Sequence, residues 1–521
     1  MYSDQSSDRC SKPNIVFRVR IFFRLLFAIR RHDFRAAGTF MRMHFPNDKG
    51  LKRVLKFIVW ALKQMCCTIP QAMQRTQFAK RVSKTPVWLK DGNPLANHPW
   101  DENPSADLPA ESDCVLIGCG LAGCAFAYHW AKSSGTDKHL VALDMGDAAS
   151  GSAGRNEGLV VMGRYYHMVV QTVLPYLKSI NEQIGGHSDD DLQALAKQFA
   201  AKYSASCYRN GDMIERTIRD EGFDCDYARE GWVQARDAYQ QDSLLESVEM
   251  GMKSGFNDWT NISPDKVREV SGMSVRHNAG FSVAAASFHP AKWCWSLLQT
   301  ALESPSVSHF SQTKVLAVSG EKSGYLVKTN RGSIKCRAVV LCTESYTPLL
   351  MPEFHDLMRP TQTQAASGPG GPSEMKPHVG ISGTRAFFGR HGEETLIGSD
   401  ATRVPDKQAG KIQPSRFLTH YLFTELNEVF APADYTITNE WSGTVTYTPD
   451  EFPVVGSIDG GNKFIIGGMA GSGTAVSFNG ARCIANRILG KADYQDDYPE
   501  AYFSPRRLLD PSGHQWPEID R

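Results

Sequence analysis

The chain lacks a charge imbalance: 57 Lys and Arg stand against 56 Asp and Glu, a formal +1 over 521 residues. A protein built to grip a polyphosphate needs a basic excess, so nucleic acid is excluded as a partner. It lacks any Cys-x-x-Cys pair among its twelve cysteines. That removes the common zinc spacings, so no metal is expected, and with no disulfide rhythm a reducing compartment is the default. It also lacks an uncharged apolar run of about 18 residues, so no stretch reads as a membrane span. Hydrophobic content of 41% and charge of 22% are those of an ordinary globular chain. Its length allows two or three domains.

One stretch lacks acid. From Lys12 to Lys63 only Asp33 and Asp48 face eleven further bases, among them Arg18, Arg20, Arg24, Arg30, Arg31, Arg35, Arg42, Lys49 and Lys56. The rest of the chain is therefore net acidic. Residues 14–30 place Ile15, Val19, Phe22, Leu26 and Ile29 on one helical face, with Arg20, Arg24, Arg31 and Arg35 on another. A second amphipathic stretch sets Leu51, Val54, Leu55, Ile58, Val59 and Leu62 against Lys49, Lys52, Arg53, Lys56 and Lys63. Arginines interrupt any secretory apolar region. Three readings stay open for this basic extension: an organelle transit segment, peripheral contact with an anionic membrane through residues 14–63, or helices that lie on the acidic body or are poorly ordered.

The chain is organised around residues 113–158. Residues 114–117 are a short apolar run of the kind that forms a buried parallel strand. The glycine turn Gly118-Cys119-Gly120-Leu121-Ala122-Gly123 follows, then a helix closed by Gly135, then a strand over 139–143 that ends on Asp144. The three glycines act differently. Gly118 permits the tight turn, Gly120 allows close approach of a pyrophosphate, and Gly123 lets the helix pack on the sheet. The helix start offers N–H donors and partial positive charge to phosphate. Asp144 can accept from both ribose hydroxyls and would repel a 2′-phosphate. Together these predict dinucleotide binding. A second glycine run, 467–474, follows the apolar strand 464–466 and opens a helix through Leu489. Helical stripes with Leu192, Leu195, Phe199 and Tyr203 fill the middle of the chain, and a strand is expected at Trp232-Val233. A Gly/Pro-rich loop is expected over Ser367–Pro372.

The next segment, Gly151-Ser152-Ala153-Gly154-Arg155-Asn156-Glu157-Gly158, resembles a loop reading roughly GASGRNGG in the D-amino-acid-oxidase-like family of FAD-dependent amine oxidoreductases, in its glycine, sarcosine and γ-glutamylputrescine oxidase branches. Trp441-Ser442-Gly443, Thr448-Pro449-Asp450 and Pro453-Val454-Val455-Gly456 also match that family's pattern, and the resemblance spans residues 85 to 495. It implies FAD as cofactor. The residues it assigns are Gly118, Gly120, Leu121, Ala122 and Gly123 at the first turn, Asp144 at the ribose, Ser152, Arg155, Asn156 and Gly158 in the loop, and Val315 beside the adenine. Gly468, Gly471, Ser472, Gly473 and Thr474 fall at the flavin's pyrimidine edge. On the substrate side it implies Arg390 for a carboxylate and Phe388 (or Phe387) as an apolar wall. His289 enters a helix beside Pro290 and reads either as a base or as a histidine satisfied by backbone. The departures are Ala153 after Ser152, Glu157 for glycine, Glu344 for asparagine ahead of Tyr346 and Thr347, Val445-Thr446 for Arg-Pro, and Ser472 for histidine.

The expected fold is α/β: a Rossmann-like FAD-binding domain interleaved with a mixed-sheet α+β substrate domain, plus a basic helical N-terminal extension. The parts are an extension over 1–84, an arm over 85–109, an FAD domain from 110–175, 280–352 and 441–500, a substrate domain from 176–279 and 353–440, and a tail over 501–521. The implied function is oxidation of a small-molecule amine or amino acid: hydride passes to flavin N5, the imine hydrolyses, and molecular oxygen is reduced to hydrogen peroxide. Absence of the Arg-Pro arginine favours an amine, or a carboxylate held elsewhere. One alternative is a quinone-linked FAD dehydrogenase at a membrane surface, which would explain the extension. Another is a non-catalytic flavin-binding assembly protein, given the departures at Ala153, Glu157, Glu344 and Ser472. The expected location is cytoplasmic, with a peripheral-membrane or organellar place as alternatives.

Overall fold

The computed structural model describes residues 13–29, 41, 45, 47–98, 108–135, 137–163, 166–236, 238–399, 413–431, 433–492 and 494–520. Arg30, Arg31, Asp33, Arg35 and Arg42 lie outside them, as do Trp100 and Pro104 of the arm. Ahead of the sheets come α1 (Ile15–Ile29), α2 (Gly50–Lys63) and α3 (Ile69–Arg75).

A nine-stranded sheet runs in the order β1 (Gln77–Ser83), β17 (Thr436–Tyr447), β13 (Arg359–Pro369), β16 (Glu394–Ser399), β15 (Ala386–His391), β14 (Gly380–Ser382), β5 (Trp232–Gln234), β7 (Ala279–Ser282) and β6 (Trp259–Ile262). A ribbon of β4 (Leu159–Val160) and β8 (Ala286–Ser287) stands apart. The eight-stranded sheet runs β10 (Val315–Glu321), β11 (Gly324–Thr329), β12 (Gly332–Leu341), β2 (Glu111–Ile117), β3 (Leu140–Leu143) and β9 (Val307–Phe310). On it, β19 (Lys463–Gly467) pairs with β12, and β18 (Val454–Ser457) pairs with β19.

The pairings β19–β12, β12–β2, β2–β3 and β3–β9 are all parallel. Parallel strands need crossovers, and helices covering the sheet bury its strands on both faces. Residues 114–117 of β2 are accordingly all buried, which is why this strand is a continuous apolar run. Helix α4 (Leu121–Ser134) links β2 to β3 and stops at Gly135. At Gly123 a Cβ would stand 1.8 Å from the Gly118 carbonyl oxygen. Only a glycine lets α4 start that close to the strand it has just left.

The 33-residue helix α5 (Asp189–Glu221) begins at Ser188, whose hydroxyl accepts from the Asp191 N–H. Leu192, Leu195, Phe199 and Tyr203 are buried along it. Helices α6 (Pro290–Leu302), α7 (Arg416–Val429) and α8 (Gly473–Leu489) complete the frame. Because β2 and β19 are both parallel to β12, the turns that open α4 and α8 emerge at the same edge of the sheet. That edge is where α/β sheets hold ligands.

Four stretches differ from the sequence reading. Residues 441–447, read into the FAD domain, belong by hydrogen bonding to β17 and hence to the nine-stranded sheet, as do residues 280–282 of β7. Residues 77–83, read as extension, are a strand parallel to β17. Ser367–Pro369, expected in a loop, continue β13 because β16 on one flank and β17 on the other pair with that strand. Local Gly/Pro composition is overridden there by long-range partners.

The 501–520 segment is anchored. Arg507 is fully buried, its Nε 2.8 Å from Asp450 Oδ2, and it donates to the carbonyls of Phe452, Phe503 and Ser504. The other Asp450 oxygen accepts from Thr448 Oγ1 and the Phe452 N–H. The Thr-x-Asp motif is thus a clamp on the end of the chain. Arg507→Ala leaves a buried carboxylate without its cation, a change that costs about 3–5 kcal/mol. Thermal unfolding should show a clear fall in Tm; a Tm unchanged within a degree would refute the clamp.

Candidate functional site

One cavity of about 810 Å³ lies at the carboxyl edge of the parallel strands. Asp144, Thr313, Val315 and Leu316 wall one part of it; Thr363, Gly443, Val445, Met469 and Gly473 wall another. Gly120 and Gly473, the residues at the starts of α4 and α8, line this same space. A Cβ on Gly473 would sit 3.8 Å from Leu121 Cδ1, so the two helix starts are neighbours. Both point unpaired N–H groups and partial positive charge at one place.

Asp144 is fixed from two sides. Its Oδ2 accepts from the Cys119 N–H at 2.7 Å and its Oδ1 from the Gly146 N–H at 2.8 Å. Burial pushes its carboxyl above the usual range, while the two N–H groups hold it down. Each oxygen keeps a lone pair for a hydroxyl donor in the cavity. Arg155 supplies the cation. Its Nε donates to Ser150 O at 3.0 Å and its Nη1 to Ser442 O at 3.2 Å. No carboxylate lies within ion-pair distance of it among the described residues. Burial lowers its pKa. A half-buried guanidinium lining the same cavity as two helix starts, with no anion beside it among the described residues, suits a diphosphate.

The remaining candidates divide. Gly118, Leu121, Ala122, Ser152, Asn156, Val315, Gly471 and Thr474 line the cavity; Gly123, Gly158, Gly468 and Ser472 do not. Ser152 donates its hydroxyl to Thr444 O at 2.7 Å and ties the loop to β17. Asn156 accepts from the Gly158 N–H and donates to Ala153 O, both at 2.9 Å, holding the loop in shape. Gly158, at φ 75°, is a packing glycine: a Cβ would meet the Trp88 ring at 2.7 Å. Trp88 in turn donates to Asn156 O at 2.7 Å, so the arm pins the loop.

His289, Phe388 and Arg390 are not in the cavity wall. His289 is the N-cap of α6, its Nδ1 accepting from the Lys292 N–H at 3.1 Å, while its ring stands edge-on to Trp88. Phe388 is buried in a second core, edge-on to Phe430. Arg390 lies two residues further along β15 and donates to Pro372 O at 3.3 Å. Side chains alternate along a strand, so Phe388 and Arg390 share the face turned away from the cavity. Phe387, on the opposite face, packs against the core that adjoins it.

Glu344 is the residue absent from the sequence-derived candidates. It lines the cavity just past β12, at φ 43°, a left-handed conformation that costs a non-glycine residue energy. Its Oε1 accepts from the Met469 N–H at 3.3 Å, and the buried Thr446 hydroxyl also acts on the carboxyl, pulling its pKa down. Burial raises its carboxyl to about 7, against the pull of N–H groups at Met469, Gly468 and Thr446. Its signal in the sequence was an acid where the resembled family has asparagine.

A family model described as "FAD dependent oxidoreductase" (DAO) matches residues 113–487. Among solved structures, L-proline dehydrogenase from P. horikoshii is similar at TM-score 0.59 and 19% identity, over 77% of this chain and 98% of that one. Glycine oxidase from Geobacillus kaustophilus is similar at TM-score 0.57 and 16% identity, over 76% and 98%. L-Amino acid deaminase from Proteus vulgaris is similar at TM-score 0.58 and 15% identity, over 77% and 97%. The mitochondrial pyruvate dehydrogenase phosphatase regulatory subunit of Mus musculus is 24% identical over 315 residues. That match covers 56% of this chain but only 31% of the mouse protein.

The buried acid gives a stability test. A carboxyl raised from 4.5 to about 7 stabilises the fold fully below pH 4.5 and loses that contribution as pH rises through 7. Glu344→Gln removes the titration, so the stability of the variant relative to the parent should rise between pH 5 and 8, by an amount on the order of 2–3 kcal/mol read from Tm. Parallel Tm–pH curves for the two proteins would contradict it.

Proposed function

Because this chain belongs to the DAO family of FAD-dependent oxidoreductases, we propose that it oxidises a small amine at the β13–β17 side of the cavity. The observation that carries this reading is the convergence of Gly120 and Gly473 on one cavity that also holds Asp144 and an uncompensated Arg155. FAD bound there supplies the two-electron acceptor. Asp144 would hold the ribose, the start of α4 and Arg155 the diphosphate, and the turn at 471–474 the redox ring. The N–H groups of that turn are fixed before reaction, so they stabilise negative charge without reorganising.

The substrate gives up two electrons and two protons and becomes an imine; water then hydrolyses the imine to a carbonyl compound and ammonia, or a smaller amine where the nitrogen is substituted. Thr363 and Val445 would wall the substrate while the protein excludes water and orients it. Among the described residues the one arginine lining the cavity is Arg155, which would be engaged by the diphosphate, and Val445 stands where the resembled oxidases carry an arginine. This supports an amine without an α-carboxylate. The named activities of the similar structures, on proline, glycine and other amino acids, support the broader class.

With dioxygen as acceptor, two electrons and two protons leave as hydrogen peroxide. A quinone acceptor at a membrane surface is the second reading, favoured by the exposed apolar faces of α1 and α2. Anaerobic mixing of the FAD-loaded chain with a panel of primary, secondary and N-methyl amines and amino acids should bleach the flavin band with at least one, amines faster than α-amino acids. Bleaching by none would overturn the proposal. Reoxidation by air against a soluble quinone then separates the acceptors: peroxide formed at the rate of substrate loss marks the oxidase, and air-stable bleaching reversed by quinone marks the dehydrogenase.

A further inference from the structure

We propose that α1 and α2 form a docking surface for an anionic lipid bilayer, lying in the plane of the membrane with their apolar faces in the headgroup–acyl boundary. The inference is independent of the substrate and of the acceptor.

The first observation is where uncovered apolar surface occurs. Of seventeen exposed large hydrophobic side chains among the described residues, twelve belong to these two helices. In α2, Leu51, Val54, Leu55, Ile58, Val59 and Leu62 are between 39% and 74% exposed, and the helix has no buried side chain at all. At 100° per residue these six share one face. Single exposed apolar residues need no explanation, but a contiguous face does.

The helices are nevertheless held to the body. The π turn Gln64–Thr68 continues α2 into α3 without a break, since Gln64 and Thr68 keep helical dihedrals. Met65 and Ile69 are buried there, packed with Ile21 and Leu25 of α1 and with Phe417 and Tyr421 of α7. One helical rod therefore changes character along its length: its second half is core and its first half presents the same kind of face to nothing. On α1 the body takes Phe17, Ile21 and Leu25, while Val19, Phe23, Leu26 and Phe27 fall on the side turned away.

Charge identifies the occupant. Neither helix contains an acid. Arg20, Arg24, Lys49, Lys52, Lys56 and Lys63 are exposed beside the apolar faces. Among the described residues of this region only Asp48 offsets them, pairing with Lys52 at 3.2 Å and Lys56 at 2.6 Å. Apolar face and basic flank match a bilayer carrying anionic headgroups, where each base near the surface adds attraction. A second copy of the chain would instead set base against base. The α1 helix has 15 residues and the part of the rod that stands outside the body, α2, has 14, about 22 and 21 Å at 1.5 Å per residue, against a hydrocarbon core of about 30 Å. No helix among the described residues is long and apolar enough to cross. The surface lies on the membrane.

The test is sedimentation of the full, FAD-loaded chain with vesicles of phosphatidylcholine alone and of phosphatidylcholine with 30% phosphatidylglycerol, at low and high salt. The chain should pellet with the anionic vesicles, less at high salt, and weakly with the neutral ones. Leu55→Glu/Ile58→Glu on α2 and Arg20→Gln/Arg24→Gln on α1 should each weaken binding by about ten-fold or more. Flavin absorbance and Tm should stay at parental values, since these side chains touch neither core nor cavity. The proposal fails if the parent stays in the supernatant with both vesicle types, or if both variants bind as the parent does. It also fails if light scattering finds a dimer that Leu55→Glu/Ile58→Glu dissociates, because a second copy then covers the face.

Discussion

The structure depends on how closely three pieces of backbone meet at the carboxyl edge of the parallel sheet. A Cβ on Gly118 would lie 2.6 Å from Cys342 O, and one on Gly123 would lie 1.8 Å from Gly118 O. With hydrogen in those places, α4 starts against the end of β2 and its unpaired N–H groups open onto the cavity. Any side chain there would push the helix off the strand and the donors away from Asp144 and Arg155. Parallel pairing through β12 then brings the α8 start to the same edge, so one steric economy sets both halves of the site.

The second sheet completes the cavity from the other side. β17 contributes Gly443–Val445 to the wall, takes the Ser152 hydroxyl at Thr444, and leads into the clamp in which Asp450 binds Arg507. The long pair β13–β17 therefore joins the substrate side to the chain's end. The residues holding this wall are mostly structural: Asn156 shapes its own loop, Trp88 pins it, and His289 caps a helix. Asp144, Arg155 and Glu344 bring titratable groups to the cavity, none of them ion-paired among the described residues, and they sit where a cofactor's ribose, diphosphate and ring would lie.

The α/β fold and both glycine turns were legible in the sequence because they rest on short-range signals. A strand buried on both faces is an unbroken apolar run, and a glycine turn followed by helical periodicity needs no distant partner to be recognised. The failures share a cause in long-range context. Along β15, Phe387 takes one face and Phe388 and Arg390 the other, and both faces are covered, so alternation alone does not say which face meets the cavity. The Ser367–Pro369 strand is specified by β16 and β17 rather than by its own composition. Glu344 showed only as an acid where the resembled family has asparagine; its left-handed backbone and its contact with Met469 arise from a turn 125 residues away in sequence.

The central claim is that one cavity takes one FAD through two helix starts. The direct measurement is the visible spectrum of the purified full-length chain after incubation with FAD and desalting, for the parent and for Gly120→Asp, which sets a carboxylate where the diphosphate would lie. A retained flavin band at one FAD per chain in the parent, lost in the variant with the fold intact by circular dichroism, is the predicted result. A parent that desalts colourless, or a variant that holds FAD as tightly as the parent, would contradict it.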